Sequence, residues 1–198
     1  MHRSAESYHR GMPVSVALQT VRPRTLAAVR RDVAAGGVSS AWGPALDSVW
    51  RLIRNEPGLW TGGHNVFLYY HPTGPGAPLV CYFGVEVSSA FDAAGEVAVV
   101  ETPEGEAAVA VHRGPYDRLN EAHGAIREWM VAQHRSSAGY SWEIYGDPTP
   151  DPGDTETTVM YLLSPLRLST QTGRPDGRVI LLRKDAEERP GSTEQDGG

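Results

Sequence analysis

Ser141-Trp142-Glu143-Ile144-Tyr145 alternates polar and apolar side chains, and it is bounded by glycines at 139 and 146. A period of two puts Ser141, Glu143 and Tyr145 on one face of a strand and Trp142 with Ile144 on the other. If the Trp142 face packs on helices, Glu143 points into open space beside Tyr145. Gly63 to Thr73 can be laid over Gly139 to Thr149 without a gap, and Glu143 then stands where the earlier segment has Phe67. A carboxylate in aromatic surroundings is costly to hold charged and alone, so it takes a cationic partner or a proton. As an anion it can pair with a lipophilic cation; as an acid it can move protons. The alternative is an edge strand on which Glu143 faces solvent.

The walls of such a pocket would come from Trp60, Phe67, Tyr69, Tyr82, Tyr145 and Tyr161, all in or beside predicted strands. They support a pocket collectively, since each taken alone reads first as a core or cross-strand packing residue. Tyr82 and Tyr161 become counterparts if Val80-Cys81-Tyr82 matches Val159-Met160-Tyr161. Trp50 and Trp129 fall on apolar helix faces and are assigned to the core.

Other chemistry finds little footing. The seven histidines, at 2, 9, 64, 71, 112, 123 and 134, form no pair at i, i+4 with a carboxylate base, so no metal site is expected. No glycine-rich phosphate loop joins a strand to a helix, and no serine sits in a nucleophile elbow; no cofactor is expected. Cys81 lies in an apolar run and reads as a buried, inert thiol.

The elements that must position Glu143 form a repeating order. Val14 to Val21 and Leu26 to Val33 read as a hairpin broken at Arg22-Pro23-Arg24. Ser39 or Ser40 can cap a helix whose Leu46, Val49, Trp50 and Ile53 share a face, and Pro57-Gly58 ends it. Asn65 to His71 and Leu79 to Val87 follow as strands. Strands at Val97 to Glu101 and Ala107 to Arg113 then flank a turn, Gly114-Pro115 leads into a helix from Tyr116 to about Ser137, and Gly139 closes it. Ser141 to Tyr145 and Thr155 to Leu163 complete a second ββαββ. The fold class expected is α+β, with duplicated ββαββ units, two helices and a ligand cleft between pseudo-symmetric halves. The boundaries expected are a flexible 1–13, a domain over 14–165 with repeats at about 14–88 and 96–165, and a segment 166–198. That last segment holds one short strand at Val179 to Leu182 and a disordered acidic tail.

Composition narrows the function classes. The chain has 198 residues, 40% hydrophobic and 21% charged, which is globular composition. With 18 Lys and Arg against 24 Asp and Glu, the net charge of −6 argues against direct nucleic-acid binding through phosphates. A lone cysteine excludes an internal disulfide and suits a reducing cytoplasm. No signal peptide or membrane span is evident. Oligomeric state is not legible.

Val111-His112-Arg113-Gly114-Pro115-Tyr116, then Leu119 and Trp129, then Trp142-Glu143-Ile144-Tyr145-Gly146-Asp147-Pro148 together resemble the GyrI-like small-molecule-binding family, the effector-binding domain of AraC- and MerR-type multidrug regulators. The resemblance covers about residues 14 to 165 and implies two ββαββ units joined into a curved antiparallel sheet, with a helix packed on each half and a ligand cleft between them. In those regulators the glutamate of this strand faces cationic aromatic drugs, and Glu143 is the matching position, with Tyr145 following it. Lacking a DNA-binding domain, the chain resembles standalone members. The resemblance implies a protein that binds lipophilic, often cationic aromatic compounds. The alternatives it brings are a hydrolase of electrophilic cyclopropane toxins, with Glu143 as general acid or base, and a protein inhibitor of DNA gyrase type.

Overall fold

The computed structural model describes residues 14–34, 36–56, 58–59, 63–74, 76–166, 168–171 and 180–183, the last two stretches by backbone alone. The expectations for 1–13, for the acidic tail over 185–198 and for Trp60 lie outside the described residues. Residues 14–164 form one unit with the order β1 (Val16–Val21), β2 (Thr25–Val33), α1 (Val38–Asn55), β3 (Asn65–Tyr70), β4 (Leu79–Glu86), β5 (Val97–Glu101), β6 (Gly105–Arg113), α2 (Asn120–Ala132), β7 (Ser137–Tyr145) and β8 (Glu156–Leu163). In a second unit β9 (Leu168–Gln171) pairs antiparallel with β10 (Ile180–Arg183), close to the expected extra strand. The fold is α+β, with ββαββ occurring twice.

The eight strands form one antiparallel sheet in the order β1-β6-β8-β7-β3-β4-β2-β5. The expected β1–β2 hairpin is therefore absent: β1 pairs with β6 and β2 pairs with β4 and β5. Each half gives its first strand to the edge of the other. Only residues 22–24 separate β1 from β2, which stand first and seventh in the sheet. In a flat sheet six strand spacings of ~4.8 Å would put them about 29 Å apart. Four Cα steps reach at most about 14 Å. The sheet must curl until its edges approach, and the second link, residues 102–104 between β5 and β6, demands the same. The two links meet: Thr102 N–H donates to the Arg24 carbonyl (3.0 Å), and Arg24 N–H donates to Thr102 Oγ1 (2.9 Å). The sheet is curved and unclosed.

The curl buries the inner face, and among the described residues no helix joins that cluster. Leu26, Ala28, Val66, Leu68, Ala107, Val109, Trp142, Ile144 and Met160 pack there, joined by Val21 and Val100 from the two edge strands. Trp142 and Ile144 thus pack on the sheet itself, not on helices as the alternation argument supposed. Both helices lie on the outer face, with Glu143. There α1 covers β2 and β4, burying Ala45, Leu46, Val49 and Ile53, while α2 covers β6 and β8 through Ala122, Ile126 and Met130. The central strands β3 and β7 run between them.

Local boundaries differ from the sequence expectations for identifiable reasons. Gly37, not Ser39 or Ser40, precedes α1, and the Ser40 hydroxyl donates instead to the Gly37 carbonyl (3.0 Å). The second helix is shorter than expected, because Tyr116–Arg118 forms a separate 3-10 turn and His134 at φ 51° turns the chain after Ala132. Gly139 does not close that helix; at φ 87° it sits inside β7, where the register with β8 shifts between Ser137 and Ser141. Only glycine holds such a backbone without strain, so the residue serves a bulge.

Candidate ligand-binding site

Because the helices sit on the flanking strands, the outer face of β3 and β7 is left as the floor of a cleft. Phe67 on β3 lies directly opposite Glu143 on β7. These are also the two residues that superpose when the halves are overlaid, so the axis relating the two segments passes between them. The same register pairs Phe83 with Phe67 and Val159 with Glu143, which makes Val159 the counterpart of Phe83. Tyr82 and Tyr161 are consequently not counterparts, and they lie on opposite faces of the sheet.

The cleft has a volume of about 780 Å³. Its floor is Asn65, Phe67 and Tyr69 from β3 with Glu143 and Tyr145 from β7. Trp42, Leu46 and Trp50 form one wall, since a four-residue spacing puts them in a row along α1. Tyr116 stands at the mouth, and His64 with Asp147 marks the rim. The aromatic rings touch in sequence: Trp42 to Phe67 at 6.2 Å, Phe67 to Tyr145 at 4.7 Å, and Tyr145 to Tyr116 at 5.4 Å between centroids. Trp42 is 44% exposed and Tyr116 53% exposed, which is unusual for rings of that size unless something covers them.

Glu143 is 6% exposed on this floor. Its Oε2 accepts from the hydroxyls of Tyr69 (2.8 Å) and Tyr145 (2.5 Å), and its Oε1 lies 2.8 Å from His123 Nε2. The imidazole is held from behind, with Nδ1 3.0 Å from the Tyr161 hydroxyl. His71 Nε2 lies 2.7 Å from Ser141 Oγ, and its ring stacks on Tyr161 at 6.1 Å, so a polar layer continues behind the carboxylate. Burial first, then the Glu143 charge, pushes the phenols of Tyr69 and Tyr145 far above the ordinary tyrosine value. Burial also raises Tyr161, and burial with the neighbouring His123 lowers His71. Both phenols on Glu143 are therefore fixed as neutral donors, and one carboxylate oxygen is saturated by them.

These shifts have a consequence for stability. Unfolded tyrosines ionise near pH ~10, whereas the folded pair stays neutral well above that. The stabilisation is complete below pH ~10 and is lost as pH rises beyond it, by about 1 kcal/mol per phenol between pH 10 and 11. Urea unfolding at pH 8, 10 and 11 should show this decline, and a Tyr69→Phe/Tyr145→Phe variant should show less of it.

Of the residues expected from the sequence, the cleft brings together Glu143, Tyr145, Phe67 and Tyr69. Tyr161 is buried under α2 and reaches Glu143 only through His123. Tyr82 packs with the cluster on the inner face, away from the cleft. Trp50, assigned to the core, contacts the core and also lines the cleft. The sequence reasoning missed Trp42, Tyr116 and His123. His123 carried a signal: it sits four residues after Leu119 and three before Ile126, a polar side chain within the apolar stripe of its helix.

The chain is similar in fold to the EcmrR C-terminal domain, at 19% identity and TM-score 0.64, covering 77% of this chain and 99% of that one. It is similar to SAV2435, whose structure is of a complex with tetraphenylphosphonium, at 11% identity and TM-score 0.56, covering 76% and 94%. It is also similar to a hydrolase from Listeria innocua, at 13% identity and TM-score 0.51, covering 75% and 91%. At these identities the likeness is one of fold. No curated protein sequence matches the chain. A model of the GyrI-like small molecule binding domain matches residues 15–167, and the chain belongs to that family.

Proposed function

We propose that the cleft binds lipophilic, cationic aromatic compounds, with Glu143 as the counter-charge and the aromatic row as stacking surface. The observation that carries this reading is a nearly buried carboxylate on the floor of an open, aromatic cleft. An anion in low dielectric gains most from a cation that brings little hydration of its own, and the faces of Phe67, Tyr145 and Trp42 attract the same charge. A volume of about 780 Å³ accommodates a drug-sized molecule. The fold-neighbour SAV2435 in complex with tetraphenylphosphonium supports the choice of ligand class. Among the described residues no helix is long and apolar enough to cross a membrane.

Titration of the protein with tetraphenylphosphonium tests the reading. Micromolar binding at one ligand per chain is expected, with a change in tryptophan emission because Trp42 and Trp50 line the cleft. Millimolar binding, or none, would count against it.

A second reading, a hydrolase, draws on the contact between Glu143 and His123, which gives a carboxylate the adjacent base that water activation requires. It separates from the first by product: incubation with an aryl epoxide would yield the diol, heavier by one water, whereas a binding protein returns the compound intact.

A further inference from the structure

We propose that His123 selects ligand charge by exchanging its own proton for the ligand's charge at Glu143, so that binding of a permanent cation releases a proton; this rests on the cation-binding reading above. Two phenols occupy Oε2 of Glu143, and the contact at Oε1 is His123 Nε2 at 2.8 Å. His123 is not among the residues that line the cleft, so a cation arriving at the carboxylate senses it through Glu143, whose Oε1 the imidazole already holds. Protonated, His123 is already the counter-ion and repels the ligand; neutral, it still donates through Nε2 and leaves the negative charge uncompensated.

The surroundings accommodate both protonation states. The Tyr161 hydroxyl, 3.0 Å from Nδ1, can donate to a bare Nδ1 or accept from Nδ1–H. The ring thus keeps its position when its proton leaves. Its side chain is 19% exposed, against 8% for that of Glu143, so the pair is shielded from bulk water but not sealed. The charged and titratable groups around it come from every packed element. β7 supplies Glu143, with Tyr145 and the β3 residue Tyr69 acting through it. β8 supplies Tyr161, which Arg127 of the same helix also contacts. His71 follows β3, and His112 of β6 is bonded to the Pro115 carbonyl. Of these, only Glu143 is a carboxylate.

Calorimetric titration with tetraphenylphosphonium, whose charge does not vary with pH, tests the exchange between pH 5.5 and 8 in two buffers of different ionisation enthalpy. The expected result is an affinity that falls toward acid pH, by up to tenfold per pH unit. It should be accompanied by release of up to one proton per bound cation. His123→Gln should bind with an affinity that no longer varies over this range. Wild-type affinity that is flat with no proton release would overturn the exchange while leaving the cation site standing. The same pH slope persisting in His123→Gln would also overturn it, assigning the proton to Glu143. Wild-type protein that binds at no pH would contradict the cation reading itself. The proton count is read on the wild-type chain, so the test survives a variant that fails to fold.

Discussion

Trp142→Ala is expected to destabilise the protein by about 3–5 kcal/mol, the range for removing a large aromatic side chain from a packed core. Trp142 is 1% exposed on β7, between β3 and β8 at the centre of the sheet. The cluster it belongs to draws on all eight strands of the sheet, including Val21 and Val100 at the two edges, and among the described residues no helix contributes to it. Among the described residues, the curl of the sheet itself covers that face. A cavity there cannot be closed by a helix shifting inward, since closure would mean bending strands held in register on both sides. Against the ~5–15 kcal/mol typical of a whole domain, the loss should move the urea midpoint far down. A cost below about 1 kcal/mol would show that the inner face is not a packed core.

Glu143→Gln should weaken binding of a lipophilic cation by about 30- to 150-fold, or about 2–3 kcal/mol, as expected when one partner of a desolvated charge pair is removed. The amide has nearly the same shape, so the aromatic walls stay in place and the loss reports charge. Its carbonyl oxygen can still accept from Tyr69 and Tyr145, which limits the effect on folding. Glu143→Ala would be a poorer test, because it leaves two phenols and an imidazole facing a void. An unchanged affinity for Glu143→Gln would mean that stacking alone binds the ligand, or that the ligand binds elsewhere.

How much of this was legible beforehand depended on whether the information was local. Alternation along 141–145 put Ser141, Glu143 and Tyr145 on one face, and the offset between halves singled out Phe67 and Glu143, which the structure sets opposite each other. Both inferences need only strand periodicity. The pairing of β1 with β6 is not local: the hydrophobic pattern of Val16–Val21 suits any neighbouring strand, and nothing in Arg22-Pro23-Arg24 says that the chain crosses to the other edge. The same omission reversed the faces. A strand face as apolar as Trp142 and Ile144 was expected beneath helices, whereas among the described residues the curled sheet itself covers it. Tyr82 was included because strand aromatics look alike in sequence, and one residue of register decides which face each takes. His123 stood twenty positions from Glu143, and only the packing of α2 across β8 brings them together.

The central claim is that a buried carboxylate makes this cleft select for positive charge. The most direct measurement compares a cation with a neutral molecule of nearly the same shape, methyltriphenylphosphonium against triphenylphosphine oxide, by equilibrium titration at pH 8. The account predicts micromolar binding of the cation, at least tenfold tighter than the oxide, with the preference abolished in Glu143→Gln. Equal affinity for the two compounds would contradict it.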